Sequence, residues 1–537
     1  MKSSFLFFIL ISYFSSCVSA QSLSLIADLN SGANNSFPHY LTEFDSKIYF
    51  VAGNGTHHKL YSSDGTPAGT TLIGPNIGNG VVWFLTKYNN KLYFAYDDGI
   101  HGLELWTSDG TTAGTYLLKD IWTGTNGGGI PYSSLPSFFT VCNGLLFFQA
   151  STPTRNQGLW VTDGTFSGTQ ALGNQYSVPF GSSTNFIVLN DKIYFQGNAG
   201  SGYGMWSSDG TSVGTQLVKS GFVGVSGASH IVLGNNFYFQ NGDNTNGQEL
   251  WKSDGTNLGT VLVKDINTVG FSSDPQNFFT DGQKVYFEAT DGILGRELWI
   301  SDGTSLGTQL FKDIAVGAPS SYPGSGSPKG IIKFNNQVYF FGNSGSAVEM
   351  YKTDGTLVGT TFVKSISTIS TVTYSYEYNS KFYFVGATSV GGTEYLFESD
   401  GTTVGTYQIN PVINTYSSNP NGFNLLGFAN NVYLPAYFGS LGNEFCKLTP
   451  SLGNNDLISN ETISVYPNPT KGGVIIDLVD DLLGSTISIT NLQGQILRQF
   501  KINTTNKTID LTDLPKGIYL LTLQKEDKLY TQKIIKS

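Results

Sequence analysis

The stretch ELWKSDGTNLGTVLVKDI, Glu249–Ile266, decides how the rest of the chain is read. It holds a tryptophan, an Asp-Gly turn signal, two Gly-Thr steps and a closing run of strand-forming residues. Taken alone it has the look of a polar site. The Asp-Gly-Thr triplet recurs, however, at Asp64, Asp109, Asp163, Asp209, Asp254, Asp302, Asp354 and Asp400. The shortest interval, as from Asp64 to Asp109, is 45 residues, and the longest, from Asp109 to Asp163, is 54. Each copy continues with Gly-Thr at a fixed offset, as in Gly69-Thr70 and Gly259-Thr260. Each is preceded by an aromatic: Tyr61, Trp106, Trp160, Trp206, Trp251, Trp299, Tyr351 and Phe397. A ninth, degenerate copy, NEFCKL, carries Phe445 in the aromatic slot and has no DGT after it. A residue needed eight times is a demand of the fold, whereas a catalytic group normally occurs once. Aspartate beside glycine is the chemistry of a tight turn closed by its own carboxylate. The eight aspartates are therefore read as structural repeat turns, and the nine aromatics as packing between neighbouring blades.

Upstream of each aromatic lies a second short block: KIYF at 47–50, KLYF at 91–94, LLFF at 145–148, and so on to NVYL at 431–434. These blocks are aromatic or β-branched and bounded by Asn, Asp or Gly, the signature of buried strands. A further strand follows each DGT turn, as in TYLLKDI, and a weaker one is suggested by PSFFTVCN and PQNFFTDG. Helical periodicity is essentially absent. Four strands in 45–54 residues suit a propeller blade. The segment LSLIADLNSG, from Leu23, matches the strand that follows a DGT turn, and the ninth copy stops just before that strand. The N-terminal strand is thus the piece the last unit lacks. The expectation is an all-β chain: a closed β-propeller of about nine four-stranded blades, or eight if the ninth is too degenerate.

Composition agrees. Glycine is 65 of 537 residues, aromatics are 14% and charged residues only 13%, which excludes a disordered chain and favours turns and pleated surfaces. The net charge of −10 argues against nucleic acid or anionic lipid as partners. The opening MKSSFLFFILISYFSSCVSAQ fits a signal peptide over residues 1–20, cut between Ala20 and Gln21. Its apolar run is too short to span a bilayer comfortably, and no later stretch reads as a transmembrane segment. A lipoprotein reading would use Cys17, but Phe14 stands where a small aliphatic residue is wanted. Beyond the signal only Cys142 and Cys446 remain, so no disulfide framework is expected.

The repeated motif identifies residues 21–450 as resembling the ELWxxDGT repeat proteins of bacteria, on the copies ELWTSDGT, ELWKSDGT and ELWISDGT. That resemblance implies a surface or secreted protein and brings no known reaction. After a polar linker over 451–463 the pattern changes. Residues 464–537 resemble the C-terminal sorting domain of the type IX secretion system of Bacteroidetes. The likeness rests on YPNPT (466–470), ITNLQGQIL (489–497), LPKGIYLLTL (514–523) and the terminal KIIKS (533–537). It implies export to the cell surface or medium, with the secretion machinery as partner. Seven or so short strands there suggest a small Ig-like β-sandwich.

Ser212 and Ser305 sit in G-x-S-x-G matches, but that motif needs a strand–turn–helix elbow, and the slot varies freely across the repeats. The loops at 95–104, 241–249 and 289–297 are rich in Asp, Asn and Glu and could hold Ca²⁺, though without the spacing of a calcium loop. The histidines His39, His57, His58, His101 and His230 show no zinc-site spacing. No catalytic residue, cofactor or metal ligand is assigned. The expected function is a non-enzymatic binding or adhesion protein with a glycan or protein ligand. The alternative is an extracellular polysaccharide hydrolase or lyase with its site at the channel mouth.

Overall fold

The computed structural model describes residues 22–449 and 463–537, apart from 54–56, 75–79, 81, 179–185, 199–202, 223–229, 244, 269–271, 314–329, 344–346, 390–392, 410–424, 439, 479–482, 492–494 and 526–527. The signal peptide, the Ala20–Gln21 cleavage site and nearly all of the linker lie outside the described residues. The chain divides into two compact units, Leu23–Thr449 and a second that contains Pro450–Ser537.

The larger unit is built of antiparallel strands, with no helix among the described residues. They group into nine four-stranded units in chain order. In the fifth, the strands are His230–Leu233, Asn236–Asp243, Gly247–Ser253 and Val261–Lys264. The first unit spans 39–73, the second 82–119, the third 137–178, the fourth 187–222, the sixth 276–312, the seventh 332–366 and the eighth 371–409. The ninth has only three consecutive strands, Leu426–Phe428, Asn431–Tyr437 and Asn443–Thr449, and takes Ser22–Ala27 as its fourth. The third and fourth units are fused into one sheet, because the long strand Gln170–Val178 also pairs with Lys192–Asn198 of the next unit.

The second strand of each unit is its buried centre. Phe239 of the fifth unit faces Trp251 across the ladder, and the equivalent pairs are Phe94–Trp106, Phe148–Trp160 and Phe287–Trp299. Each such aromatic enters a core shared with the preceding unit: Trp251 clusters with Tyr194 and Met205, Trp299 with Tyr238 and Leu250. Tyr351 packs at the edge of the sixth-to-seventh core and Phe397 inside the seventh-to-eighth. Phe445 departs from its assigned slot. Leu434 pairs with Cys446, so a cysteine holds the position opposite the second strand, and Phe445 points to the other side. There it stacks on Phe50 of the first unit, 4.2 Å between centroids, in a core that also holds Ile26 and Tyr433. The aromatic serves the seam after the ninth unit instead of the seam before it.

The DGT glycine explains how tightly the units meet. Gly255 has φ +90°, and a methyl there would lie 2.1 Å from the hydroxyl of Tyr194 in the preceding unit. Gly65 of the first unit, φ +88°, stands in the same relation to Tyr433 of the ninth, also 2.1 Å. The first strands of the first and ninth units also lie side by side, as they do between neighbours elsewhere. Last and first units therefore meet through the contacts that join any adjacent pair.

Among the described residues the C-terminal unit carries seven strands in two antiparallel sheets, one of Ile463–Tyr466, Gly473–Leu478 and Asn506–Asp510, the other of Thr486–Thr490, Ile496–Lys501, Gly517–Lys525 and Lys528–Lys536. Residues of both, including Val474, Ile476, Ile489 and Leu521, form one core. Lys536, near the end of the last strand, acts as an anchor, its ammonium donating to the carbonyls of Leu511, Thr512 and Leu514.

Candidate binding surface

The aspartates of the repeat each engage one carboxylate oxygen within their own turns. Asp254 Oδ1 accepts from the Thr256 N–H at 2.8 Å and the Thr256 hydroxyl at 2.7 Å. That hydroxyl accepts from Gly259 N–H at 2.9 Å, and Thr260 donates its own to Thr256 O at 2.6 Å. Thr260 also meets Ser253 Oγ at 2.7 Å, which accepts from Gly255 N–H at 3.0 Å. The same circuit runs through Asp64, Asp109, Asp163, Asp209, Asp302, Asp354 and Asp400. The Thr256 donors hold the Asp254 carboxyl below its usual range, and the corresponding threonines do so for the other turns from Asp64 to Asp354. Ser212 and Ser305 stand exposed in these strand-to-strand turns.

The loops weighed as calcium sites close on themselves in a similar way. Asp98 Oδ1 accepts from the Ile100 and His101 N–H groups, with His101 Nδ1 2.7 Å from its second oxygen. Asp243 accepts from Thr245 and Asn246, and Asp291 from Ile293 and Leu294. Among the described residues no three His, Cys, Asp or Glu side chains converge. His39 and His58 are near neighbours, 5.1 Å between rings, and burial pushes His39 down to about 4. Burial does the same to His230.

A second repeated residue, unmarked in the sequence reading, is the glutamate two places before the aromatic slot. Glu249 is buried, and its carboxylate accepts from Ile266 N–H at 2.9 Å, Ser273 N–H at 2.8 Å and Ser273 Oγ at 2.5 Å. It thereby ties its strand to the end of the fourth strand and to the chain entering the next unit. Glu104 does this with Ile121 and Ser134, and Glu444 with Leu29 and Ser36. Burial pushes Glu104 up to about 7 and raises Glu249 and Glu444. The letters E-L-W were the available signal.

What the repeats do not share lies on the first strands, where units converge. In the first three units that strand carries one extra residue relative to its partner: the register steps from His39–Val51 to Thr42–Tyr49, from Trp83–Ala95 to Thr86–Tyr93, and from Ser137–Gln149 to Thr140–Phe147. The bulged residues are Tyr40, Phe84 and Phe138, with φ of 55°, 61° and 58°. A threonine two places on donates to each bulge carbonyl, Thr42 at 3.0 Å, Thr86 at 3.3 Å and Thr140 at 3.0 Å. The left-handed conformation disfavours bulky side chains and tolerates Asn, which stands at the bulge of the sixth unit as Asn277. Three aromatics in this position are a choice the backbone does not require. Their rings form a row, Tyr40 to Phe84 at 6.2 Å and Phe84 to Phe138 at 6.0 Å. Trp83 stands beside Phe84, 6.2 Å away and 44% exposed. Bulges re-aim side chains beside binding sites, and local strain gathers there.

Residues 464–537 match the family model described as "Secretion system C-terminal sorting domain". Karilysin of Tannerella forsythia is 32% identical over 98 residues, 16% of this chain and 20% of that relative, so the chain spans about a fifth of its length. Solved structures with similarity include PorZ of Porphyromonas gingivalis, described as an essential bacterial surface component of the type-IX secretion system. It is 12% identical over 93% of this chain and 86% of that one, with a TM-score of 0.25. A puromycin hydrolase is 11% identical over 78% and 61% of the two chains, TM-score 0.37. Prolyl oligopeptidase B of Galerina marginata is 10% identical over 84% and 57%, TM-score 0.39. At such TM-scores these likenesses carry no inference. The terminal module is a type IX sorting domain, and it marks the protein for secretion and the outer cell surface.

Proposed function

We propose that residues 23–449 form a closed nine-bladed propeller that binds a glycan at the cell surface without turning it over. The observation that carries this reading is the row Tyr40, Phe84 and Phe138 with exposed Trp83, set on converging strands of three adjacent units. The C–H-rich face of a pyranose ring is apolar and stacks on aromatic side chains, while a site of that kind needs few charges. The repeated aspartates and glutamates are engaged in holding the fold, which points to the half-buried bulge aromatics, packed against the unit cores, as the residues that select a ligand. Support for closure comes from Gly65 against Tyr433, Phe50 against Phe445 and the pairing of Ser22–Ala27 into the ninth unit.

The full chain on a glycan array, followed by calorimetric titration of the best ligand, tests it. Phe84→Asn keeps a residue that suits the left-handed bulge and, combined with Trp83→Ala, should weaken binding at least tenfold. Unchanged affinity in that variant would remove the aromatic row from the site. Release of shortened sugars from a bound polysaccharide by the wild type would favour the enzymatic reading instead.

A further inference from the structure

The turns that carry the DGT motif end in side chains the turn does not use. The hydrogen-bond circuit runs through Asp, Gly, Thr, Gly and Thr, and the two residues between the first Thr and the second Gly are spare. In the first two units they are Pro67-Ala68 and Thr112-Ala113. From the third unit to the eighth an apolar residue stands there: Phe166, Val213, Leu258, Leu306, Val358 and Val404. They are 66%, 83%, 92%, 94%, 96% and 91% exposed. Each turn joins the third strand to the fourth, and each DGT glycine meets the preceding unit in an equivalent way. The six tips therefore project from the same end of six consecutive units. Isolated exposed aliphatics are ordinary, but five of them at one register position, with Phe166 one residue earlier in its turn, mark an interaction face.

Four of the six tips also have a polar base. Lys119, from the preceding unit, donates to Phe166 O at 3.2 Å and lies 4.5 Å from its ring centroid. Lys219 reaches Asn257 O at 3.4 Å, Lys264 reaches Thr308 O at 2.7 Å and Lys364 reaches Thr403 O at 3.1 Å. An apolar point backed by an ammonium is the arrangement of a loop seated in a lipid interface, with the side chain among acyl chains and the cation at head-group depth.

We propose that these six tips are a peripheral docking face for a lipid bilayer. The tips stand one per unit, so they suit a deformable surface that needs no matching shape, and the protein is delivered to the outer face of a membrane. Specific protein partners offer shaped, contiguous contact; a bilayer accepts separate points. This face is distinct from the aromatic row and stands or falls independently of it.

Flotation of the full chain with zwitterionic vesicles of phosphatidylethanolamine and phosphatidylcholine reads the interaction. The variant Val213→Ser, Leu258→Ser, Leu306→Ser, Val358→Ser, Val404→Ser keeps the turns, because Ser167 already fills that slot in the third unit. It should float at least tenfold less than the wild type, and Leu306→Trp should show a blue-shifted emission on adding vesicles. Equal flotation of wild type and variant, or no flotation of either, overturns the proposal. So does a wild type that ignores vesicles but self-associates in sedimentation and becomes monomeric in the variant, which would make a second copy the occupant.

Discussion

At Gly255 two demands coincide: a left-handed backbone and a gap for the Tyr194 hydroxyl of the preceding unit. Asp254, beside it, answers only to its own turn. The two substitutions should separate accordingly. Asp254→Ala frees two donors that water reaches in an exposed turn, for a loss of about 0.5–1.5 kcal/mol. Gly255→Ala adds backbone strain and a clash, and should cost about 2 kcal/mol or more. Denaturant midpoints of the two variants provide the comparison, and equal shifts would contradict it. Recurrence made both residues legible in the sequence as turn components. The threonine hydroxyl at the centre of the circuit went unread, because its role lies in geometry. Glu249 also went unread: Gly158, Gly204 and Tyr395 occupy its place in other copies, and its partner Ser273 is 24 residues away.

Between elements, the buried glutamates and the exposed aspartates respond oppositely to pH. Burial lifts Glu104 from 4.5 to about 7, and Glu288, beside Arg296 and Asn277, likewise to about 7. A carboxyl that binds its proton more tightly when folded contributes fully below about pH 4.5 and loses that contribution as pH rises through about 7. Protonation is tolerated at Glu104 because the Ser134 hydroxyl can turn and accept. The turn aspartates, held low by their threonines, contribute above about pH 3.8 and lose that contribution below it. The melting temperature should therefore peak between about pH 4 and 5 and fall toward pH 8. Calorimetry across that range checks it, and a steady rise to pH 8 would refute the assignment. The strands themselves were readable from short aromatic and β-branched blocks and the turn residues that bound them. The bulges were not, since one extra residue leaves no mark on a hydrophobic pattern; the triplets YLT, FLT and FFT at 40–42, 84–86 and 138–140 are its only trace.

For the whole molecule, counting DGT motifs and the degenerate copy yielded nine units, and the described strands group into nine. The fusion of the third and fourth units was invisible, because nothing local tells a strand how far to extend. The seam between the ninth unit and the first rests on Phe445, Phe50, Ile26 and the Glu444 carboxylate. Phe445→Ala should cost about 3–5 kcal/mol at that seam. The readout is proteolysis, in which the segment 22–35 should be cut before any other; uniform resistance would show that the seam holds without it. The same seam sets an order of events. Ser24 donates to Lys447 O across 423 positions of sequence, so one of the earliest stretches made finds its ladder partner only when the ninth unit exists. Eight units can mature one after another as local hairpins, and a single distant pairing finishes the body. Such pairings are slow to find, although their entropy grows only with the logarithm of the loop. The body is thus held incomplete until its last unit has been made, and a circular permutant begun between two units should fold to completion sooner than the natural order of the chain permits.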